Sequence, residues 1–69
     1  MSEPTWVVTD NDKRIAQFSL INQLQMNNLT HLIHDDDFAK FFDNQVEVIA
    51  SYMAQCRFLQ NIIHKNIGG

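Results

Sequence analysis

"NNLTHLIHDDDF", residues 27–38, divides this sequence into two helical segments. Asparagine side chains compete for backbone hydrogen bonds, so Asn27 and Asn28 weaken a helix that reaches them. The aspartates at 35–37 suit a helix start, where free N–H groups and the helix dipole favour carboxylates. The stretch therefore predicts a helix end, a short extra turn around Leu29, Leu32 and Ile33, and the start of a second helix.

The second helix is the longest periodic segment of the chain. From Phe38 to about Lys65 there is no Gly or Pro, which predicts about 28 helical residues, or about 42 Å. An apolar stripe is expected along one side, comprising Phe38, Phe42, Ile49, Met53, Cys56, Ile63 and Ile67, with Phe41, Val46, Val48, Tyr52 and Leu59 on its shoulders. The opposite side is expected to be solvated and carries Asp43, Glu47, Ser51, Asn61 and Lys65. Gly68 and Gly69 are typical of a helix end.

The first helix is predicted at 12–26, with Asp10 or Asn11 as its N-cap. Its apolar residues lie on two flanks, which indicates a helix packed between neighbours: Ile15, Phe18 and Ile21 on one, Leu20 and Leu24 on the other. Residues 1–11, with Pro4 and the segment Trp6-Val7-Val8-Thr9, predict an extended arm or a single strand. The expected fold is all-α, with this arm followed by one helical-hairpin domain at 12–67.

The unequal helices predict a homodimer. The short helix covers only about half of the long one, and 69 residues with a single cysteine cannot compensate with a disulfide. A second copy is the simplest cover for the residues assigned to the core and dimer contact, which are Phe38, Phe42, Ile49, Met53, Cys56, Leu59 and Ile63.

Composition narrows the class of function. The net charge is −3 and the five basic residues are scattered, which disfavours nucleic-acid binding. No apolar run reaches the ~18 residues of a membrane span, and the single thiol and the absence of a secretory signal predict a cytoplasmic protein. No cofactor motif is present. Without a catalytic constellation we expect no enzyme, and Cys56 is interpreted as a packed core residue.

Metal binding is one alternative. His31, His34 and Asp35 are spaced so that a helix would place them on one face, and imidazole and carboxylate are metal ligands. Two surface histidines ahead of an aspartate cap explain the same pattern. We therefore expect no metal site, with these three residues as the weak candidates.

Phe58 and Ile62 are large apolar residues that fall off the main stripe. They are interpreted either as an anchor pair for another protein or as residues buried in the homo-oligomer or beneath the Trp6 arm. With Trp6 and Tyr52 they are the predicted partner contacts. The expected function is a small non-catalytic interaction module, such as a regulator, adaptor or inhibitor, that binds another protein through apolar helix surface.

Residues 5–26, a short β-type segment followed by a helix, resemble the ribbon–helix–helix repressors. That resemblance implies a dimer whose paired N-terminal strands bind the DNA major groove. The chain departs from the family pattern because Thr5, Val7 and Thr9 supply no basic or amide side chain and helix 2 is far longer. A DNA-binding regulator is therefore the alternative function, beside the metal-binding one.

Overall fold

The computed structural model describes residues 5–67 and confirms the all-α helical hairpin. Helix α1 spans Asp10–Met26, a 3₁₀ turn spans Thr30–His34, and helix α2 spans Asp36–Ile67. Within the described range there is no strand, and residues 5–9 have no regular secondary structure. The first four residues of the predicted arm, with Pro4, and the predicted helix end at 68–69 lie outside the described residues.

Helix α1 begins with a capping box centred on Thr9, so the predicted caps, Asp10 and Asn11, were wrong by one and two residues. The N–H of Asp12 donates to Thr9 Oγ1 at 3.1 Å, and the N–H of Thr9 donates to Asp12 Oδ2 at 2.9 Å. Thr9 has the extended backbone of a cap residue, with φ −102° and ψ 163°. The reciprocal bonds need a carboxylate three residues after the cap, and only Thr9 has Asp12 at that spacing.

The break between the helices lies where the asparagines predicted it. Asn27 donates its side-chain amide to the Gln23 carbonyl at 2.8 Å, and Asn28 adopts a positive φ of 58°. Asparagine tolerates this left-handed conformation better than most residues. The N–H of Leu29 then donates to the Leu24 carbonyl at 2.8 Å, which closes the end of α1.

The aspartates start α2, as predicted. Asp35 Oδ1 accepts the N–H of Phe38 at 2.9 Å, and the Asp35 carbonyl accepts the N–H of Ala39 at 2.8 Å. Asp36 and Asp37 occupy the first turn, near the positive end of the helix dipole. The helix therefore begins two residues before Phe38, the start expected from the apolar periodicity.

The two helices pack through small side chains. Ala16 of α1 and Ala50 and Ala54 of α2 are at most 1% exposed, whereas Phe42 is 8% exposed. No large side chain among the described residues is fully buried. Alanine lets two helix backbones approach closely, so α1 lies against the side of α2 that carries Ala50 and Ala54, about a third of a turn from the centre of the predicted apolar stripe.

This position of α1 determines which of the residues predicted for the core and dimer contact the single chain buries. Of the seven residues assigned to core or dimer contact, only Phe42 is buried; Phe38, Ile49 and Met53 are half-buried, and Cys56, Leu59 and Ile63 are exposed. On α1, Ile15 and Phe18 are exposed and Leu20, Ile21 and Leu24 are half-buried. The sequence showed where the apolar residues are, but not which of them α1 covers.

The molecule is a thin layer of two helices. Its extents are 49 × 28 × 15 Å, and the smallest is little more than the ~10–12 Å diameter of one helix. Residues 59–67 are all exposed, as expected because α1 has 17 residues and α2 has 32. Among the described helices, none combines the length and apolar character needed to cross a membrane.

Candidate interaction surfaces

An ion pair joins the start of α1 to the middle of α2. Arg57 donates from Nη1 to Asp12 Oδ1 at 2.8 Å and from Nη2 to Asp12 Oδ2 at 2.9 Å, and Nη2 also donates to the Val7 carbonyl at 2.9 Å. Asp12 is buried at 2% exposure. The hydrogen bonds from Arg57, followed by that from the Thr9 backbone, hold the pKa of the Asp12 carboxyl well below its usual range. The same pairing raises the pKa of Arg57.

Trp6 extends this contact along α2. Its indole Nε1 donates to Ser51 Oγ at 3.0 Å, and its ring lies 6.4 Å from that of Phe58 at an interplanar angle of 55°. We call the residues of these contacts the arm joint: Trp6, Val7, Asp12, Ser51, Arg57 and Phe58. A depression of about 290 Å³ adjoins them. The arm joint combines one bidentate ion pair, one indole hydrogen bond and one aromatic contact.

The predicted partner contacts fall into two groups. The rings of Trp6 and Phe58 are in contact, so the Phe58 side chain lies beneath the arm, which is one of the positions considered for it above. Tyr52 and Ile62 are 65% and 39% exposed; Ile62 lies one turn after Phe58, and Tyr52 lies about a third of a turn from Phe58 around α2. Their role as contacts with a partner remains a prediction.

The second surface is a row of large apolar residues that no part of the described chain covers. It consists of Phe41, Val48, Tyr52, Leu59 and Ile62, which are between 39% and 65% exposed. With Gln45 and Gln55, these residues alternate at spacings of four and three along α2, which is the pattern of a coiled-coil seam. We call the seven residues the outer stripe.

The outer stripe lies opposite α1. Tyr52 is two residues from Ala50 and two from Ala54, which is ~200° around a helix in each direction. A depression of about 240 Å³ is lined by Val48, Ser51, Tyr52 and Gln55. Helix α2 is therefore apolar on two opposite sides, and only one of them has a partner among residues 5–67.

The sequence predicted some residues of each surface but not how they come together. The spacing of Thr9 and Asp12 signals a capping box, but no local pattern links Asp12 to Arg57, 45 residues away. Ser51 was assigned to the solvated side, although it accepts a hydrogen bond from Trp6. The spacing of four and three residues indicates the outer stripe. Phe41, Val48, Tyr52 and Leu59 were instead interpreted as shoulders of one continuous apolar stripe.

The weak metal candidates lie around the 3₁₀ turn. His31 and His34 are exposed there, and Asp35 is engaged as a cap by the N–H of Phe38. Across residues 5–67, no three His, Cys, Asp or Glu side chains are grouped so that they could hold a metal ion.

The positions of the basic residues and of residues 5–9 bear on the DNA-binding alternative. Two of the five basic residues are engaged in ion pairs, Arg57 with Asp12 and Lys13 with Glu47, the latter at 3.4 Å. Residues 5–9, which would supply the strand of a ribbon–helix–helix protein, are irregular. Cys56 is exposed in the single chain, as expected for the part of α2 that the short helix does not cover, and its packing against a second copy remains a prediction.

A scan against protein-family models, a search of curated proteins and a search of solved structures each gave no match to this chain. The functional argument therefore rests on the contacts and exposed surfaces described above.

Proposed function

We propose that this chain is a non-catalytic protein-interaction module that works by burying the outer stripe of α2 against another polypeptide. One observation carries the proposal: five large apolar side chains of α2 form a continuous row on the side that α1 leaves open, whereas the most deeply buried residues on the side facing α1 are alanines. Contiguous exposed apolar surface on a soluble protein is characteristic of an interaction site.

The energetic argument supports the same proposal. Full burial of one Val, Leu or Ile side chain is worth about 1.5–3 kcal/mol. A 69-residue chain has a total stability of only about 3–10 kcal/mol at typical values per residue. Covering the outer stripe would therefore contribute an amount comparable with the stability of the isolated fold.

The arm joint complements this surface. Its bidentate ion pair fixes α1 to α2 through specific hydrogen bonds, so the outer stripe is presented on a helix whose other side is already occupied. A rigid helix with anchors at spacings of three and four is the form recognised in helix-to-helix and helix-in-groove binding.

Photo-crosslinking in the source cells tests the proposal. A photoreactive benzoylphenylalanine at position 52 of the full chain, expressed at its native level, is expected to give polypeptide adducts on irradiation. The matched control carries the same group at Lys40, which is exposed and about a third of a turn away from Tyr52 around α2. Adducts to any polypeptide at position 52 and none at position 40 would support the function, whereas no adduct at position 52 would contradict it.

A further inference from the structure

We propose that the polypeptide covering the outer stripe is a second copy of this chain, with the two α2 helices antiparallel and centred on residue 50. The inference deepens the proposed function and rests on it. Three independent features support it: the shape of the molecule, the charge distribution along α2, and the residues that this register brings opposite one another.

The single chain exposes more surface than a folded protein of its mass. Its accessible surface is 5773 Å², whereas the scaling for monomers of 8.0 kDa gives about 4,450 Å². The excess of roughly 1,300 Å² exceeds the ~800 Å² that each partner buries in a standard protein interface. Two copies in contact through their outer stripes would form a row of four helices in which each α2 is covered on two opposite sides.

Charge favours the antiparallel orientation. The segment 36–47 of α2 carries four acidic residues and one lysine, whereas 48–67 carries Arg57 and Lys65 and no acidic residue. A parallel dimer would place the two acidic segments side by side. An antiparallel dimer instead brings each acidic segment beside the segment that carries Lys65, in which Arg57 is already paired with Asp12, and also opposes the helix dipoles.

The register follows from the alternation of apolar and amide residues. When the helices cross at residue 50, Phe41 faces Leu59 of the second copy and Val48 faces its Tyr52. Gln45 then faces Gln55 of the second copy, so that the two amides can hydrogen-bond to each other. A shift of one heptad would place Gln45 against Ile62 and leave a polar group without a partner, which is how a single polar position fixes the register of a coiled coil.

The same register places Asp37 beside Lys65 of the second copy at both ends of the seam. Both residues are exposed in the single chain. A parallel dimer would instead place both Asp37 residues at one end of the seam and both Lys65 residues at the other. The orientation therefore determines whether these charges attract or repel.

Disulfide crosslinking of the full chain tests the orientation directly. In a Cys56→Ser background, a ¹⁵N-labelled Gln45→Cys chain is mixed with an unlabelled Gln55→Cys chain, in glutathione redox buffer. The mixed disulfide is expected to dominate in mass spectra. Gln45→Cys alone is expected to form little disulfide, because the two positions 45 would lie ~15 Å apart along the seam.

Two different results would overturn the inference, and each would show which part of it is wrong. Efficient self-crosslinking of Gln45→Cys would indicate a parallel dimer, and a monomeric wild-type chain at all concentrations by light scattering would exclude the second copy. In the latter case, photo-adducts of position 52 to a different protein would leave the proposed function intact, whereas their absence would reject both.

A charge exchange supplies a second measurement that needs no cysteine. Lys65→Glu is expected to weaken dimerisation by about 2- to 30-fold, the range for two exposed ion pairs. Combining it with Asp37→Lys is expected to restore the affinity. Weakening without rescue would contradict the antiparallel pairing, provided that circular dichroism shows equal helicity in all variants.

Discussion

The two sides of α2 use different chemistry. On the side facing α1, the deepest residues are Ala50 and Ala54, and the specific contacts are the bonds of Arg57 and Ser51 to the first helix and the arm. On the other side, Phe41, Tyr52 and the rest of the outer stripe are large, apolar and substantially exposed. The fold is held by close helix approach and polar contacts, while most of the remaining apolar burial is still available.

This division separates folding from association. Small side chains allow one helix to approach closely but provide little apolar area, so the inner side fixes the geometry of the hairpin more than its stability. The outer side holds the area that a partner would bury. Four substitutions test this division, from the largest expected effect to the smallest.

Leu59→Asp should have the largest effect, because it places a charge within the proposed seam, opposite Phe41 of the second copy, at two places in each dimer. Each dimer loses two buried leucines, so we expect dimerisation to weaken by about 3–6 kcal/mol. Light scattering and the concentration dependence of the melting temperature measure this. Gln60→Asp, an exposed neighbouring position, is the control. Equal dimerisation of both variants would show that the outer stripe is not the contact.

Ala54→Leu tests the inner side. The residue is 1% exposed, so three additional carbons have no space between the helices, and overpacking is expected to destabilise the fold by about 1–3 kcal/mol. Urea unfolding measures the change, and Gln60→Leu adds the same side chain where it meets solvent. A stable Ala54→Leu variant would mean that α1 does not lie close to α2 at this position.

Asp12→Asn tests the arm joint through pH. Because the folded-state pKa of Asp12 is lowered, its contribution to stability is complete above the unfolded-state value of about 3.9 and is lost as the pH falls below it. The wild type should therefore exceed the variant in free energy of unfolding at pH 7, and the difference should shrink between about pH 5 and pH 2. A difference that is independent of pH would show that the carboxylate charge is not what matters.

Thr9→Ala should have the smallest effect, about 1 kcal/mol, because it removes one capping hydrogen bond from α1. Thr9→Ser retains the hydroxyl and should be close to wild type in thermal unfolding. Both variants should leave dimerisation unchanged, since the cap lies on the arm side of the molecule. A shift in the dimer equilibrium for Thr9→Ala would show that the two sides of α2 are coupled.

Local patterns predicted the elements well and their contacts less well. The asparagines at 27–28 and the aspartates at 35–37 marked the helix boundaries, because capping and backbone competition act within a few residues. Local patterns did not predict the pairing of Asp12 with Arg57, because the two residues are 45 positions apart in the chain. They also did not predict that α1 packs against Ala50 and Ala54, because hydrophobicity alone does not show which side of a helix its neighbour covers.

The sequence by itself determined that this chain forms two helices of unequal length, joined at 27–35, with more apolar surface on the second than the first can cover. Those features depend on propensity, capping and periodicity, which are local. Only the tertiary structure decided that α1 lies on the alanine side of α2 and leaves the outer stripe open. That choice depends on close backbone approach at Ala16, Ala50 and Ala54 and on the long-range bonds of the arm joint, and neither is encoded in any short segment.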